Sequence, residues 1–150
     1  MSIVTIGYAD GTYAGEAIEQ DGEFIEHGSG SFSWVDGTQY KGDFSRGRIS
    51  GNGRLSLPNG DVYVGEFLDD RKNGWGTFTW ADGTVYEGEF LDNVRTGKGK
   101  VTWPGGGWYE GDFKDGLMEG IGIEFSPDGS MRYDGEWIQG CPINRSNEDG

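Results

Sequence analysis

Along most of the chain, apolar and polar residues alternate with a period of two. In Tyr86-Glu87-Gly88-Glu89-Phe90 the rings fall on one side of an extended backbone and the acids on the other. In Gly97-Lys98-Gly99-Lys100-Val101-Thr102-Trp103 small and apolar residues alternate with polar ones. Such alternation, carried by aromatic and β-branched residues, predicts strands. Asp82-Gly83 is a hairpin-turn signal, because glycine accepts a positive φ without a steric penalty. Within the patterned region no glycine-free run exceeds eight residues. An average helix needs about 11 residues and loses about 1 kcal/mol per interior glycine, so helices are excluded from the body.

The alternation is itself periodic. The first glycine of each G-x-G recurs as Gly28, Gly51, Gly74, Gly97 and Gly120, every step being 23 residues. The second glycines, Gly30, Gly53, Gly76, Gly99 and Gly122, keep the same step. Tyrosines run in parallel at Tyr13, Tyr40, Tyr63, Tyr86, Tyr109 and Tyr133. Each unit reads as two strands and each junction as a second hairpin turn, so sequential strands pair as neighbours in one antiparallel meander. The units are set at 10–35, 36–58, 59–81, 82–104 and 105–127. A half-repeat cap at 1–9 precedes them, a partial unit at 128–142 follows, and 143–150 is expected to be a disordered tail. With a first strand at Ile3–Ile6 and a last at Tyr133–Trp137, twelve strands are expected in an elongated, twisted, open sheet on the order of 53 Å long. Pro142 is expected to end the pattern, since proline cannot donate to a ladder.

The repeated YEGEF…G-x-G…W-x-DG pattern resembles the MORN repeat over nearly the whole chain. The first unit departs from it by an insertion near Glu19–Phe24, and the histidine that precedes G-x-G in the family survives only as His27. The resemblance implies an open solenoid-like array of β-hairpins with an aromatic-lined groove. It implies scaffolding or partner binding rather than catalysis, end-to-end assembly into homodimers, and a cytoplasmic placement associated with the cytoskeleton or cilium. Some proteins carrying these repeats resemble membrane-junction or phosphoinositide-kinase proteins, so the alternative implied is a phospholipid-associating module.

Register follows from parity, because residues directly opposite in an antiparallel pair share a face. Pairing Phe78 with Tyr86 sets Gly76 against Gly88 and Gly74 against Phe90. The same register gives Val101–Tyr109, Lys100–Glu110 and Lys98–Asp112. In the fifth unit Ile123 and Phe125 stand one place off the apolar positions. A bulge near Gly120–Gly122, pairing Ile123 with Tyr133 and Glu124 with Arg132, would restore them.

The aromatic face carries Trp34 and the candidate partner-binding residues Tyr40, Phe44, Tyr63, Phe67, Trp80, Tyr86, Phe90, Trp103, Tyr109 and Phe113. A single sheet must curl around such a face, dimerise, or receive a partner. A helical or extended peptide of another protein is the expected occupant. The same rings also serve as a ladder that packs on itself. The opposite face repeats an acid at Glu16, Asp43, Glu66, Glu89, Asp112 and Glu136, as a solvated surface or as a selector of basic partners. Trp75 and Trp108 interrupt that polarity and form a second candidate surface.

Charge narrows the partners. The 150 residues hold 26 acids and 12 bases, a net charge of -14, which repels phosphate backbones and anionic headgroups. Nucleic acid is excluded as a partner on this ground and membrane attachment is disfavoured. The 6 Trp, 7 Tyr and 8 Phe argue for a folded chain despite the charge. No secretion signal or apolar span is read, and the sequon at Asn144 is taken as a chance match. His27 and Cys141 are each the single residue of their type, so neither a His-dependent triad nor a Cys/His metal set can be assembled, and no disulfide forms within the chain. The G-x-G pairs lack the third glycine and helix of a dinucleotide site, and each Asp-Gly turn offers one carboxylate where calcium needs several. Facing carboxylates recur evenly, whereas an active site is singular. The expectation is a non-enzymatic protein without metal or cofactor.

Overall fold

The computed structural model describes residues 1–143. Thirteen strands follow one another in a single sheet, each hydrogen-bonded to its neighbours in sequence. They are β1 (Ser2–Tyr8), β2 (Gly11–Gln20), β3 (Glu23–Trp34), β4 (Gln39–Ser45), β5 (Arg48–Ser56), β6 (Val62–Leu68), β7 (Arg71–Thr79), β8 (Val85–Leu91), β9 (Val94–Thr102), β10 (Trp108–Lys114), β11 (Leu117–Phe125), β12 (Met131–Ile138) and β13 (Cys141–Pro142). All pairings are antiparallel, the sheet is not closed, and no helix occurs among the described residues. None, therefore, is long and apolar enough to cross a membrane. The expected disordered tail lies, apart from Ile143, outside the described residues.

Register holds where parity fixed it. Phe78 faces Tyr86, Gly76 faces Gly88 and Gly74 faces Phe90. Val101 faces Tyr109, Lys100 faces Glu110, and Lys98 faces and pairs with Asp112. Two expectations fail. Among the described residues the sheet has thirteen strands, not twelve: Cys141 and Pro142 pair with Ile138 and Trp137. As the last strand, β13 has one neighbour, so the missing N–H of proline costs no ladder bond.

The fifth unit is the second correction. Ile123 pairs with Asp134 and Glu124 with Tyr133, and against β12 the register shift lies between Glu124 and Phe125. A bulge does lie at Gly120–Gly122, but against β10, where Gly111 faces Gly122 and Phe113 faces Met118. The Gly111–Gly122–Gly135 rungs are retained across three strands. A Cβ on Gly122 would lie 2.2 Å from the Tyr109 hydroxyl oxygen, so sliding β11 by one residue would drive a side chain into that ring. Steric demand at one glycine therefore overrides the local apolar alternation. The extra residue, Arg132, is absorbed beside the turn instead.

The sheet curls around its aromatic face, and this suffices to bury the tyrosines. Tyr13, Tyr40, Tyr63, Tyr86 and Tyr109 are 1% exposed or less, although no second layer covers them. They alternate with Phe44, Phe67, Phe90, Phe113 and Trp137 in a continuous zigzag of edge-to-face contacts, centroids 4.9–5.3 Å apart. Burying a Phe contributes roughly 1.5–3 kcal/mol, and each edge-to-face pair about 0.5–1.5 kcal/mol more. Each ring touches the unit before or after it, so the ladder ties the units together.

Candidate functional site

The repeat motif first builds a scaffold for the site. Within β6, Tyr63 folds back so that its hydroxyl donates to the Glu66 carbonyl at 2.8 Å. The equivalent bond is made by Tyr13, Tyr40, Tyr86, Tyr109 and Tyr133. The ring then lies flat on Gly76 of β7, where a Cβ would sit 2.3 Å from the hydroxyl oxygen. The Glu66 side chain crosses to the same strand and accepts the Trp75 N–H at 2.5 Å. Gly74, with φ +98, has no room for a Cβ beside that carboxylate. Tyrosine, acid and G-x-G are thus one device that pins a bulge and bends the strand.

That device accounts for the acidic stripe. Glu16, Asp43, Glu89 and Asp112 accept the N–H of Ser29, Asn52, Lys98 and Ile121 as Glu66 accepts that of Trp75. Lys98 holds the Asp112 carboxyl below the usual carboxylate range, helped by the Ile121 N–H.

Bending makes the aromatic face concave. Residues from opposite ends of the strands, Trp34 and Thr38 at one, Gly47 and Asp70 at the other, line a single cavity of about 560 Å³ spanning β1 to β6. Phe44 and Phe67 form part of its floor, with Phe32, Ile49 and Leu55. A smaller cavity of about 210 Å³ follows, lined by Phe78, Trp80, Phe90 and Arg95 among others. Of the residues singled out by sequence, Phe44, Phe67, Trp80 and Phe90 therefore reach the groove. Tyr40, Tyr63, Tyr86 and Tyr109 lie beneath it, sealed by their neighbours, and Phe113 is buried in the same ladder. Trp103 is half-buried against the core.

Trp75 and Trp108 lie on the convex face. Trp75 is 56% exposed. Trp108 stacks on Phe125, donates its indole N–H to Glu110 and lies under the Lys100 ammonium. The register that keeps Gly111 against Gly122 also sends Ile121 and Ile123 to this side, opposite Glu136 and Asp134.

Four groove residues that sequence reasoning missed, Glu26, Ile49, Lys72 and Arg95, lie on another 23-residue comb that Met118 continues. From Ile49 onward, each follows a hairpin turn whose tip bonds back to the previous unit. The N–H of Gly47, Asp70, Asn93, Gly116 and Gly140 reaches the carbonyl of Glu26, Ile49, Lys72, Arg95 and Met118 in turn. Carrying the glycine spacing over to polar positions would have found them. Burial lowers the pKa of both Lys72 and Arg95, which lie over ring faces rather than in water. His27 has a structural task, its Nδ1 accepting the Arg46 N–H at 3.1 Å. Among the described residues no three His, Cys, Asp or Glu side chains converge to hold a metal ion.

A family model for the MORN repeat matches residues 25–39, 40–62, 63–85, 86–108 and 109–131, five consecutive segments covering most of the chain. The chain belongs to the MORN-repeat family. Four of these MORN segments open on the tyrosines Tyr40, Tyr63, Tyr86 and Tyr109, which start the bending device. The MORN repeat is in general a non-enzymatic module. No curated protein matches the chain. Among solved structures, a chain from the Drosophila melanogaster SAS-4 (dCPAP) TCP domain in complex with a proline-rich motif of Ana2 (dSTIL) is similar at 13% identity and a TM-score of 0.40. The match covers 89% of this chain and 90% of that one. At that level of superposition it informs neither the groove nor the partner of this MORN array.

Proposed function

We propose that the chain is a non-catalytic scaffold that binds a segment of another protein along its concave groove. The observation that supports this is the cavity over β1 to β6. There Phe32, Trp34, Phe44, Ile49, Leu55 and Phe67 leave about 560 Å³ unfilled. Phe44, Phe67, Trp80 and Phe90 are the ring surfaces offered from the sequence-derived set. Tyr40, Tyr63, Tyr86 and Tyr109 shape the groove from below. An extended or helical segment fits a trough of this form, with side chains at regular spacing entering successive units.

The test is selection from a displayed random-peptide library, followed by hydrogen-exchange mapping of the selected peptides on the chain. Protection at β3 to β6, lost with Phe32→Ser/Trp34→Ala but kept with Trp75→Ala, is the expected result. Protection confined to the convex face around Trp75 and Trp108 would overturn the proposal. Flotation with anionic liposomes is run beside it, and the chain is expected to stay with the soluble fraction.

A further inference from the structure

We infer that the wide end of the groove, between Trp34 and Glu26, is a subsite for a cationic side chain, an arginine or lysine of the bound segment. This rests on the groove-binding reading above and specifies its chemistry. The chain already fills the equivalent place two units further on with a cation of its own. The Arg95 guanidinium carbon lies 5.4 Å from the Trp80 ring centroid, 5.6 Å from that of Tyr86 and 5.7 Å from that of Phe113. Its Nη2 donates to the Gly116 carbonyl. Lys72 does the same one unit earlier, 5.7 Å from both the Tyr63 and the Phe78 centroids.

Two repeats back from Arg95, the walls are repeated and the cation is not. Phe32 and Trp34 meet at 4.5 Å and 41°, as Phe78 and Trp80 meet at 4.6 Å and 48°. Tyr40 and Phe67 meet edge to face as Tyr86 and Phe113 do, at 5.3 and 5.0 Å. The position of Arg95 is taken by Ile49, which is shorter and uncharged. The cavity is about 560 Å³ here against about 210 Å³ around Arg95.

Charge completes the case. Asp10, Glu26 and Asp70 line the cavity, and none of its lining residues is a lysine or arginine. Glu26 is 7% exposed, with the Tyr8 hydroxyl donating to its Oε1 at 2.5 Å, and Asp70 accepts the Ile49 N–H at 2.8 Å. An apolar side chain entering here would cover carboxylates without pairing them, which is unfavourable. A guanidinium or ammonium would stack on Trp34 and pair with a carboxylate at once. A divalent ion is not the occupant, because the carboxylates do not converge on one point.

The test uses the whole chain and three short probes: Ac-Gly-Arg-Gly-NH2, its citrulline isostere, and its norleucine analogue, titrated against the tryptophan indole signals in NMR. The arginine probe is expected to shift the Trp34 indole saturably, with citrulline and norleucine at least tenfold weaker and Trp80 unmoved. Ile49→Arg, or Ile49→Lys should that variant not fold, is expected to abolish the Trp34 response by filling the subsite from within. Citrulline binding as well as arginine, or a Trp34 response that survives Ile49→Arg or Ile49→Lys in folded protein, would overturn the inference. Library peptides that map to the groove but bind equally with arginine and lysine replaced by neutral residues would sink the cationic subsite alone. Peptides mapping to the convex face would sink the groove reading, while the indole titration still judges the subsite independently.

Discussion

At the scale of single residues, the repeat is a set of contacts that tolerate no Cβ. Gly76 supports the Tyr63 ring, and Gly76→Ala is expected to cost roughly 1–3 kcal/mol through overpacking, measured by urea unfolding. Tyr63→Phe should not rescue it, because a Cβ also meets ring carbons at 2.4 Å. Glu66→Ala loses the anchor of the Trp75 N–H and is expected to cost about 0.5–1.5 kcal/mol, whereas Glu66→Gln keeps an acceptor and most of the stability. The buried phenols give a pH signature. Burial, then neighbouring carboxylates, pushes Tyr13, Tyr63 and Tyr109 up to about 12 and raises Tyr40 as well, and burial raises Tyr86 against the opposing charge of Arg95. An unfolded chain ionises its tyrosines near 10.0, so between that value and about 12 it releases protons that the folded chain holds. Stability is therefore full below pH 10 and falls as pH rises through that window. Phenolate absorbance from these five tyrosines should appear together with unfolding, not before it. Gradual titration of these five near pH 10 in folded protein would contradict the packing.

At the scale of the hairpin, the turns over the groove hold two successive residues at positive φ, as in Asp92 at 47° and Asn93 at 74°. Asn93→Val is expected to cost about 1–2 kcal/mol from that backbone conformation alone, with Asn93→Gly milder, in thermal melts. Both lose the Asn93 Oδ1 bond to the Lys72 N–H, so their difference isolates the backbone contribution. This scale was also the most legible in the sequence. Parity alone placed Phe78 against Tyr86 and Val101 against Tyr109, because a slip of one residue turns every ring to the wrong face. Parity misled at Ile123, where apolar alternation pointed one way and the glycine rung under Tyr109 the other. Alternation is a property of one strand, whereas that rung depends on a ring from its neighbour. The candidate site was legible as a face but not as a cavity. Sequence showed that Tyr86 and Phe90 share a side, but not that Phe90 reaches the groove while Tyr86 lies sealed beneath it. Cations in a hydrophobic groove likewise escaped notice, since Lys72 and Arg95 look like turn residues until the ring faces are in place.

At the scale of the molecule, contacts run between neighbouring strands and, through the ring ladder and turn tips, to the adjacent unit, so stability is a sum over units and interfaces rather than the property of one central core. Hydrogen-exchange protection is expected to be highest from β6 to β9 and to fade toward β1 and β13, each of which has one neighbour. Uniform protection along the array would mean all-or-none unfolding and contradict this. The order of strands also sets the response to load. Because β1 and β13 lie at opposite edges of the sheet, a force drawing the two ends apart acts along the inter-strand hydrogen bonds and across the strands. The array then opens as a zipper does, one rung after another, instead of shearing whole strands at once. Each 23-residue unit that lets go frees roughly 80 Å of chain, so extension in an optical trap should advance in low, evenly sized steps. If it joins two larger bodies in the cell, a scaffold of this kind yields gradually under tension and shortens again when the tension is released.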